Sequence, residues 1–429
     1  MKKIIKKVLL TLLIVASLYG VGRFIDVAYG SWQFVPRQPY LTMQTDHSIR
    51  IKWQTPEEEI GKVRYGTSKN LLGSEHKEAT KSKKHLITLS KLKSCTRYFY
   101  SVTSKSLKID NKNRSFTTLC DSAQHQRLWV IGDSGDNGKN QRRVYKSMKQ
   151  YIKHDYNNLD MWILLGDNAY SSGTQKQFNK ALFHSFKGLV KRFVPWAVPG
   201  NHDARRWAFY DIFDFPTHGE SGGVPSGHEE FYSIDNGNLH LVMLDSETVS
   251  RDSDGEMAKW LRKDLAANKK PWVIVAFHTP PYSDGGHKSD NCWDSRGRLC
   301  DMRENFVPIF DEYGVDLVLS GHSHGYERSK LIKGHIGKSD TFSKAFIVQD
   351  RKTDYVKSLK NKRFSGTIYQ VCGSSAKVDG ATYKHPALPY SFGKMGSLII
   401  DITPTTLTSK FLTINGKIAD EFTITKEAK

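Results

Sequence analysis

Five apolar runs in this chain each lead into a short segment offering Asp, Asn or His. Residues 128–131 lead into Gly132-Asp133-Ser134-Gly135, and residues 161–165 into Gly166-Asp167-Asn168-Ala169-Tyr170. Residues 194–199 precede Gly200-Asn201-His202-Asp203, residues 272–277 precede His278, and residues 315–320 precede Gly321-His322-Ser323-His324. Short continuous apolar runs of this kind read as buried strands. In an open α/β sheet, ligands bind outside the carboxyl ends of the strands, so these five ends are expected to meet. One Gly-Asp after a strand is an ordinary turn. Five ends bearing N and O donors fit a cation site, with enough donors for two metals. Asp167 has two carboxylate oxygens and can bridge two cations, and the Tyr170 phenol lies three residues further on.

Elements must hold these residues in place. The chain has 429 residues, comfortable for two domains, and is long enough to bury a core without disulfide help. Residues 36–120 read as an all-β sandwich of short strands, with an acidic turn at Glu57-Glu58-Glu59. Trp53 and the turn before Tyr98 resemble a fibronectin type III domain. After a polar linker at 121–126, strands alternate with helices over residues 127–425. Helices are expected at 141–151, 174–189, 256–267 and 305–313, and a hairpin at Asn236-Gly237. Residues 333–362 read as a polar surface excursion. Strands at both ends of this region predict an α/β domain of two facing sheets with helices outside.

The formal net charge is +20, which favours anionic partners such as phosphate esters, nucleotides, or acidic lipid and glycan surfaces. No arginine-rich helix, zinc-finger spacing or aromatic ribonucleoprotein motif marks dedicated nucleic-acid binding. Lys2 to Lys7 form a basic start, followed by an apolar stretch over 8–22. That stretch has the length of a signal segment and is short for a spanning helix. Residues 1–30 are therefore read as a signal peptide, with Ala28-Tyr29-Gly30 a candidate cleavage site, or as an uncleaved membrane anchor. Both imply export to a periplasmic, extracellular or membrane-anchored location. The five cysteines fit an exported chain. Cys292 and Cys300 are the first choice for a disulfide, Cys95 and Cys120 pair if their strands are neighbours, and Cys372 is expected as a buried free thiol. No CxxC is present, which argues against a cysteine-ligated zinc.

Asp133 in GDSG, Asp167 and Tyr170 in GDNAY, Asn201 in GNHD, His278, and His322 and His324 in GHSH resemble, in order, the motif set of the metallophosphoesterases. The Tyr170 position resembles the purple acid phosphatase branch, as does the sandwich upstream. The resemblance implies a four-layer α/β metallophosphoesterase domain of two mixed sheets sandwiched by helices. It implies one metal held by Asp133, Asp167, Tyr170 and His324, and another by Asp167, Asn201, His278 and His322. A phenolate of ordinary pKa near 10 calls for a strongly polarising cation, so Fe(III) is implied beside Tyr170. The neutral second set suits Zn, Mn or Fe(II). The implied activity is hydrolysis of small phosphate monoesters by a metal-bound hydroxide, with inversion at phosphorus. His202 and His287 are the candidate proton donors to the leaving group. Some members carry paired histidines where His287 is followed here by Lys288, which bears on substrate preference and pH optimum.

Other residues have blander readings. Asp136 is expected to cap a helix, Asp203 to orient His202 or close its turn, and Glu327-Arg328 to form a structural ion pair. A phosphodiesterase or nucleotide-pyrophosphate hydrolase would use the same centre, and pocket walls decide between them. A surface adhesion or binding protein with a vestigial hydrolase domain is the reading from another class, and the intact donor set argues against it.

Overall fold

The computed structural model describes residues 2–203, 207–360, 362–380 and 382–427. Its first element is a helix, Lys2–Trp32. Leu12, Leu13, Leu18 and Phe24 on it are exposed. No helix among the described residues is long and apolar enough to cross a membrane. Trp32 packs on Trp207 with ring centroids 4.8 Å apart.

Seven strands follow: β1 (Arg37–Gln44), β2 (Ile49–Glu59), β3 (Lys62–Gly66), β4 (Ser74–Lys77), β5 (Ser82–Leu89), β6 (Arg97–Thr103) and β7 (Ser115–Thr117). They form two antiparallel sheets, β1-β2-β5 and β4-β3-β6-β7. Alternation sets the inner face: His85, Ile87 and Leu89 of β5 are buried while Leu86 and Thr88 face out. Trp53 lies against His85 at 4.6 Å. The expected acidic turn is instead the end of β2. Glu59 accepts hydrogen bonds from the Lys105 and Ser106 amides at 2.9 and 3.0 Å, which holds the strand extended to its last residue. A disulfide joins Cys95 to Cys120 at the exit from these sheets.

The second region holds fifteen strands among the described residues. These are β8 (Gln126–Ile131), β9 (Met161–Leu164), β10 (Pro195–Ala197), β11 (Tyr232–Asn236), β12 (Leu239–Met243), β13 (Trp272–Ala276), β14 (Leu317–Ser320), β15 (Tyr326–Arg328), β16 (Leu331–Ile332), β17 (Ile347–Gln349), β18 (Asp354–Ser358), β19 (Ile368–Cys372), β20 (Gly396–Ile402), β21 (Thr406–Thr413) and β22 (Ile418–Glu427). A seven-stranded sheet runs β10-β9-β8-β20-β21-β22-β18, and a six-stranded sheet runs β11-β12-β13-β14-β19-β15. Both are mixed: β8, β9 and β10 are mutually parallel, as are β12, β13, β14 and β19, while β20 and β15 pair antiparallel with their neighbours.

The sheets face each other across one apolar layer. Trp272, Ile274 and Ala276 of β13 point into the cluster that holds Val130, Ile163 and Leu398. Val273 and Val275, on the opposite face, join Met257, Trp260, Leu261 and Phe310 from helices Glu256–Ala267 and Val307–Tyr313. Helix Lys139–Tyr151 covers the outer face of the seven-stranded sheet, with Tyr145 stacked on Trp129 at 5.9 Å. Helices therefore lie outside two sheets, because both faces of each parallel core need cover.

Two expectations are corrected. Residues 333–362 are not a plain surface excursion: β18 lies within them and pairs parallel with β22. Its alternation buries Lys357, whose Nζ lies 2.8 Å from buried Asp316, and Lys426 reaches the same carboxylate at 2.6 Å. The pairing is what lets those charges sit inside. The helix expected at 174–189 is broken into one α turn, Gln175–Phe178, and a π-helical segment, Asn179–His184. Phe178, Leu182, Phe183 and Phe186 are all buried across this break.

The two regions share polar seams. Tyr40 donates to the Ile212 carbonyl at 2.9 Å, Arg37 to Gln175 at 2.8 Å, and Lys52 pairs with Asp214 at 3.0 Å.

Candidate metal centre

The parallel strands deliver their carboxyl ends to one place. β8 ends before Asp133, β9 before Asp167 and β10 before Asn201; from the facing sheet, β13 ends before His278 and β14 before His322. The turns are sharp. Asp133, Asp167 and His322 adopt φ of 55°, 51° and 68°. Left-handed backbone in non-glycine residues costs on the order of 1–3 kcal/mol each and clusters at functional sites. The loops also approach closely. A Cβ on Gly200 would lie 2.1 Å from the Asp167 amide nitrogen, so only glycine lets the two loops touch.

The side chains converge as two groups around Asp167. In one, Asp133 Oδ1 lies 3.2 Å from the Tyr170 hydroxyl and 3.4 Å from His324 Nε2, and the Tyr170 hydroxyl lies 3.4 Å from His324 Nε2. In the other, His278 Nε2 lies 3.1 Å from Asn201 Oδ1, 3.2 Å from His322 Nδ1 and 3.6 Å from Asp167 Oδ1. Two donors each about 2.0–2.1 Å from a shared ion stand roughly 3–3.4 Å apart in octahedral or tetrahedral geometry. Five of the six observed spacings fall in that range, and the His278–Asp167 distance of 3.6 Å lies just outside it. Asp133, Asp167 and His278 form a fully buried grouping of metal-ligand type.

The comparisons with known proteins agree with this architecture. Residues 36–118 match the purple acid phosphatase N-terminal domain, and residues 126–326 match the calcineurin-like phosphoesterase model. The chain thus joins a purple acid phosphatase N-terminal domain to a calcineurin-like phosphoesterase domain. It is 26% identical to purple acid phosphatase 15 of Arabidopsis thaliana over 70% of this chain and 65% of that protein. It is 28% identical to acid phosphatase type 7 of Mus musculus over 57% of this chain and 56% of that protein. The match thus spans about two thirds or less of the length of these two relatives. In fold it resembles a purple acid phosphatase from yellow lupin seeds, with a TM-score of 0.72 at 18% identity, covering 92% of this chain and 75% of that one.

Electrostatics fit cations at this centre. Burial pushes the Asp167 carboxyl up, and it pushes the Tyr170 phenol far up, with the Asp133 and Asp167 charges adding to the rise. The chain itself therefore disfavours both anions, and bound cations would stabilise them. Burial also opposes charge on His278, but Asp167 and Asp133 outweigh it and raise it to about 9. His322 is held well below its ordinary value by burial, then by His278. A neutral imidazole is the form that ligates a metal.

Both candidate proton donors border the cluster. His202 donates its backbone N–H to Asp167 Oδ1 at 2.9 Å, and its Nε2 lies 3.9 Å from Asp167 Oδ2. Its Nδ1 donates to the Ser171 carbonyl at 2.8 Å, which fixes the ring. Asp203 does not orient His202 but closes its own turn, accepting from the Gly200 amide at 3.2 Å. It accepts from the Asn168 amide and side chain at 2.8 and 2.7 Å, tying the two loops together, and burial raises it to about 8. His287 stacks on His322 at 3.8 Å, and its Nδ1 meets Asp294 Oδ1 at 2.8 Å.

Several contacts to the cluster carry no sequence motif. Ser295 Oγ bonds His322 Nε2 at 2.6 Å, and Asp379 Oδ2 lies 2.7 Å from His324 Nδ1. Such partners fix the tautomer and orientation of ligating histidines. The Lys377 ammonium sits 4.1 Å from the centre of the Tyr170 ring. The Cys292–Cys300 disulfide, expected from spacing, closes the loop that carries Asp294 and Ser295, and Cys372 is a buried free thiol. That enclosure was the one sequence signal pointing to this loop.

Two outer assignments change. Asp136 accepts from the Gly138 amide at 2.5 Å and closes the turn before helix Lys139–Tyr151, whose N-cap is Gly138. Glu327 and Arg328 do not pair with each other. Neighbours along β15 point to opposite faces, so Glu327 accepts from the Asp284 amide at 2.8 Å while Arg328 pairs with Asp420 at 2.5 Å.

Proposed function

We propose that this chain is an exported, metal-dependent acid phosphatase that hydrolyses small phosphate monoesters at a two-metal centre. The observation that carries the reading is the division of seven donor side chains into two groups sharing Asp167. Asp133, Asp167, Tyr170 and His324 would hold one ion, with Fe(III) suited to the phenolate. Asp167, Asn201, His278 and His322 would hold a divalent ion, Zn, Mn or Fe. When bound, such ions supply Lewis acidity toward phosphate oxygens and water.

The remaining work falls to the chain's own residues. Asp167 and Asp133 are anchored by the His202 and His322 amides, at 2.9 and 2.8 Å, so their free oxygens keep one orientation. His202, fixed through Nδ1, presents Nε2 toward the centre as a proton donor to the leaving oxygen. His287, stacked on His322 and held through Nδ1 by Asp294, is the second candidate donor. The two disulfides fit an oxidising compartment, which supports export.

The test is metal analysis with turnover of a panel of monoesters, diesters and pyrophosphates. About two metal equivalents and a strong preference for monoesters are expected. One equivalent, or a preference for diesters, would reject the reading as stated.

A further inference from the structure

A second concave site lies away from the donor cluster. A cavity of about 580 Å³ opens where the N-terminal sheets meet the hydrolase region, and Lys69, Arg97, Lys112 and Arg192 line it. None of these four forms an ion pair among the described residues. The Arg192 guanidinium lies 5.0 Å from the centre of the Tyr156 ring, and its buried Nε has no hydrogen-bond partner. Burial lowers the Arg192 pKa, and the neighbouring Arg97 charge lowers it further, as Tyr156 and Asp155 work against that fall. Asp155 is the one carboxylate in the lining, and it accepts from the Asn157 amide at 2.9 Å.

Four cations gathered in a hollow with a single carboxylate, Asp155, focus a positive potential there. A buried guanidinium nitrogen without a partner is costly unless something supplies an acceptor. Guanidinium pairs match phosphate oxygens in both charge and fork geometry. The volume falls within the range of small-molecule sites, and Tyr156 and Phe99 give it an aromatic wall. The lining comes from both regions. Arg97 starts β6, residues 154–157 precede β9, and Arg192 precedes β10. The cavity therefore sits at the amino ends of the two strands whose carboxyl ends lead to Asp167 and Asn201.

We propose that this cavity is a second anion site that binds a small molecule carrying two or more phosphate groups, held by Arg97 and Arg192 with Lys69 and Lys112 at the rim. It shares no lining residue with the donor cluster, so it stands whether or not that cluster performs the proposed hydrolysis.

Titration calorimetry of the metal-loaded protein with methylenediphosphonate, which phosphatases do not cleave at its P–C–P link, tests it. Two binding events are expected in the wild type. Arg97→Gln/Arg192→Gln should lose one of them, weakening it tenfold or more, while monoester turnover and the other event are unchanged. Raised salt should weaken the lost event in the wild type. Because Arg192 packs on Tyr156, Arg97→Gln alone serves as the second variant. Arg97 is exposed, and a several-fold weakening is expected from it. Binding that is the same in both variants as in the wild type overturns the proposal. So does a single wild-type event that Asp167→Asn abolishes.

Discussion

The imidazole of His287 lies flat on that of His322, with ring centroids 3.8 Å apart and 13° between the planes. One ring belongs to the proposed divalent site and the other to the candidate proton donors. Asp294 and Ser295 hold the pair from outside, the first on His287 Nδ1 at 2.8 Å and the second on His322 Nε2 at 2.6 Å. The donor thus sits at van der Waals distance from the metal-holding set, and a single disulfide-closed loop keeps both rings in place.

Asp294→Ala should release His287 without removing a donor of the metal set. General acid help contributes about 10²–10⁴-fold, so kcat is expected to fall at least tenfold on substrates with poor leaving groups. KM and metal content should change little. Parallel kinetics and metal analysis check this. A drop in metal content matching the drop in kcat would show that Asp294 supports the centre, not the donor.

His202→Ala should lower kcat more on poor leaving groups than on good ones. The ring is pinned by the Ser171 carbonyl at 2.8 Å, so its Nε2 is free to serve the leaving oxygen. Rates across a series of aryl phosphates of graded leaving-group pKa read this out. An equal loss across the series would count against proton donation.

Asp167→Asn should abolish turnover and remove at least one metal equivalent. The carboxylate is buried, and it lies 3.6 Å from His278 Nε2, close to the other donors of the divalent set. An amide keeps the shape but loses the charge that two cations would share. Full metal content with retained activity would eliminate the bridging role.

Tyr170→Phe should bleach visible absorption while leaving the fold intact. Burial, with Asp133 and Asp167, pushes this phenol so far up that a ferric ion is what would deprotonate it. The visible spectrum of the wild type and the variant decides the point. An unchanged band would reject a ferric tyrosinate.

Much of this site was legible because strand ends announce themselves. Apolar runs at 161–165 and 315–320 are followed at once by Gly-Asp and Gly-His, and the parallel sheet delivers those ends to one place. Asp294, Ser295 and Asp379 were not legible. They reach the histidines from loops without periodicity, and only tertiary packing sets their direction. Glu327 and Arg328 show the same limit, since adjacency in sequence says nothing of partners on opposite faces of a strand. Lys357 misled for a related reason: a lysine-rich stretch reads as surface until its partner, Asp316 at 2.8 Å, is known.

The stability of the hydrolase region should fall with rising pH through one buried histidine far from the donor cluster. His240 lies between Asp235 and Asp264, with Nδ1 and Nε2 at 2.7 and 2.8 Å from their carboxylates. Burial opposes its charge, but the two carboxylates outweigh that and raise it to about 9. In the unfolded chain an imidazole titrates at about 6.5. The folded state therefore binds the proton more tightly. Its contribution is fully present below about pH 6.5 and is lost as the pH rises toward 9. The size is about 3 kcal/mol. Urea unfolding between pH 6 and 9 should show a falling midpoint in the wild type. His240→Gln should flatten that fall and start from a lower midpoint at pH 6. Equal slopes in both proteins would mean that the imidazole is neutral in the fold.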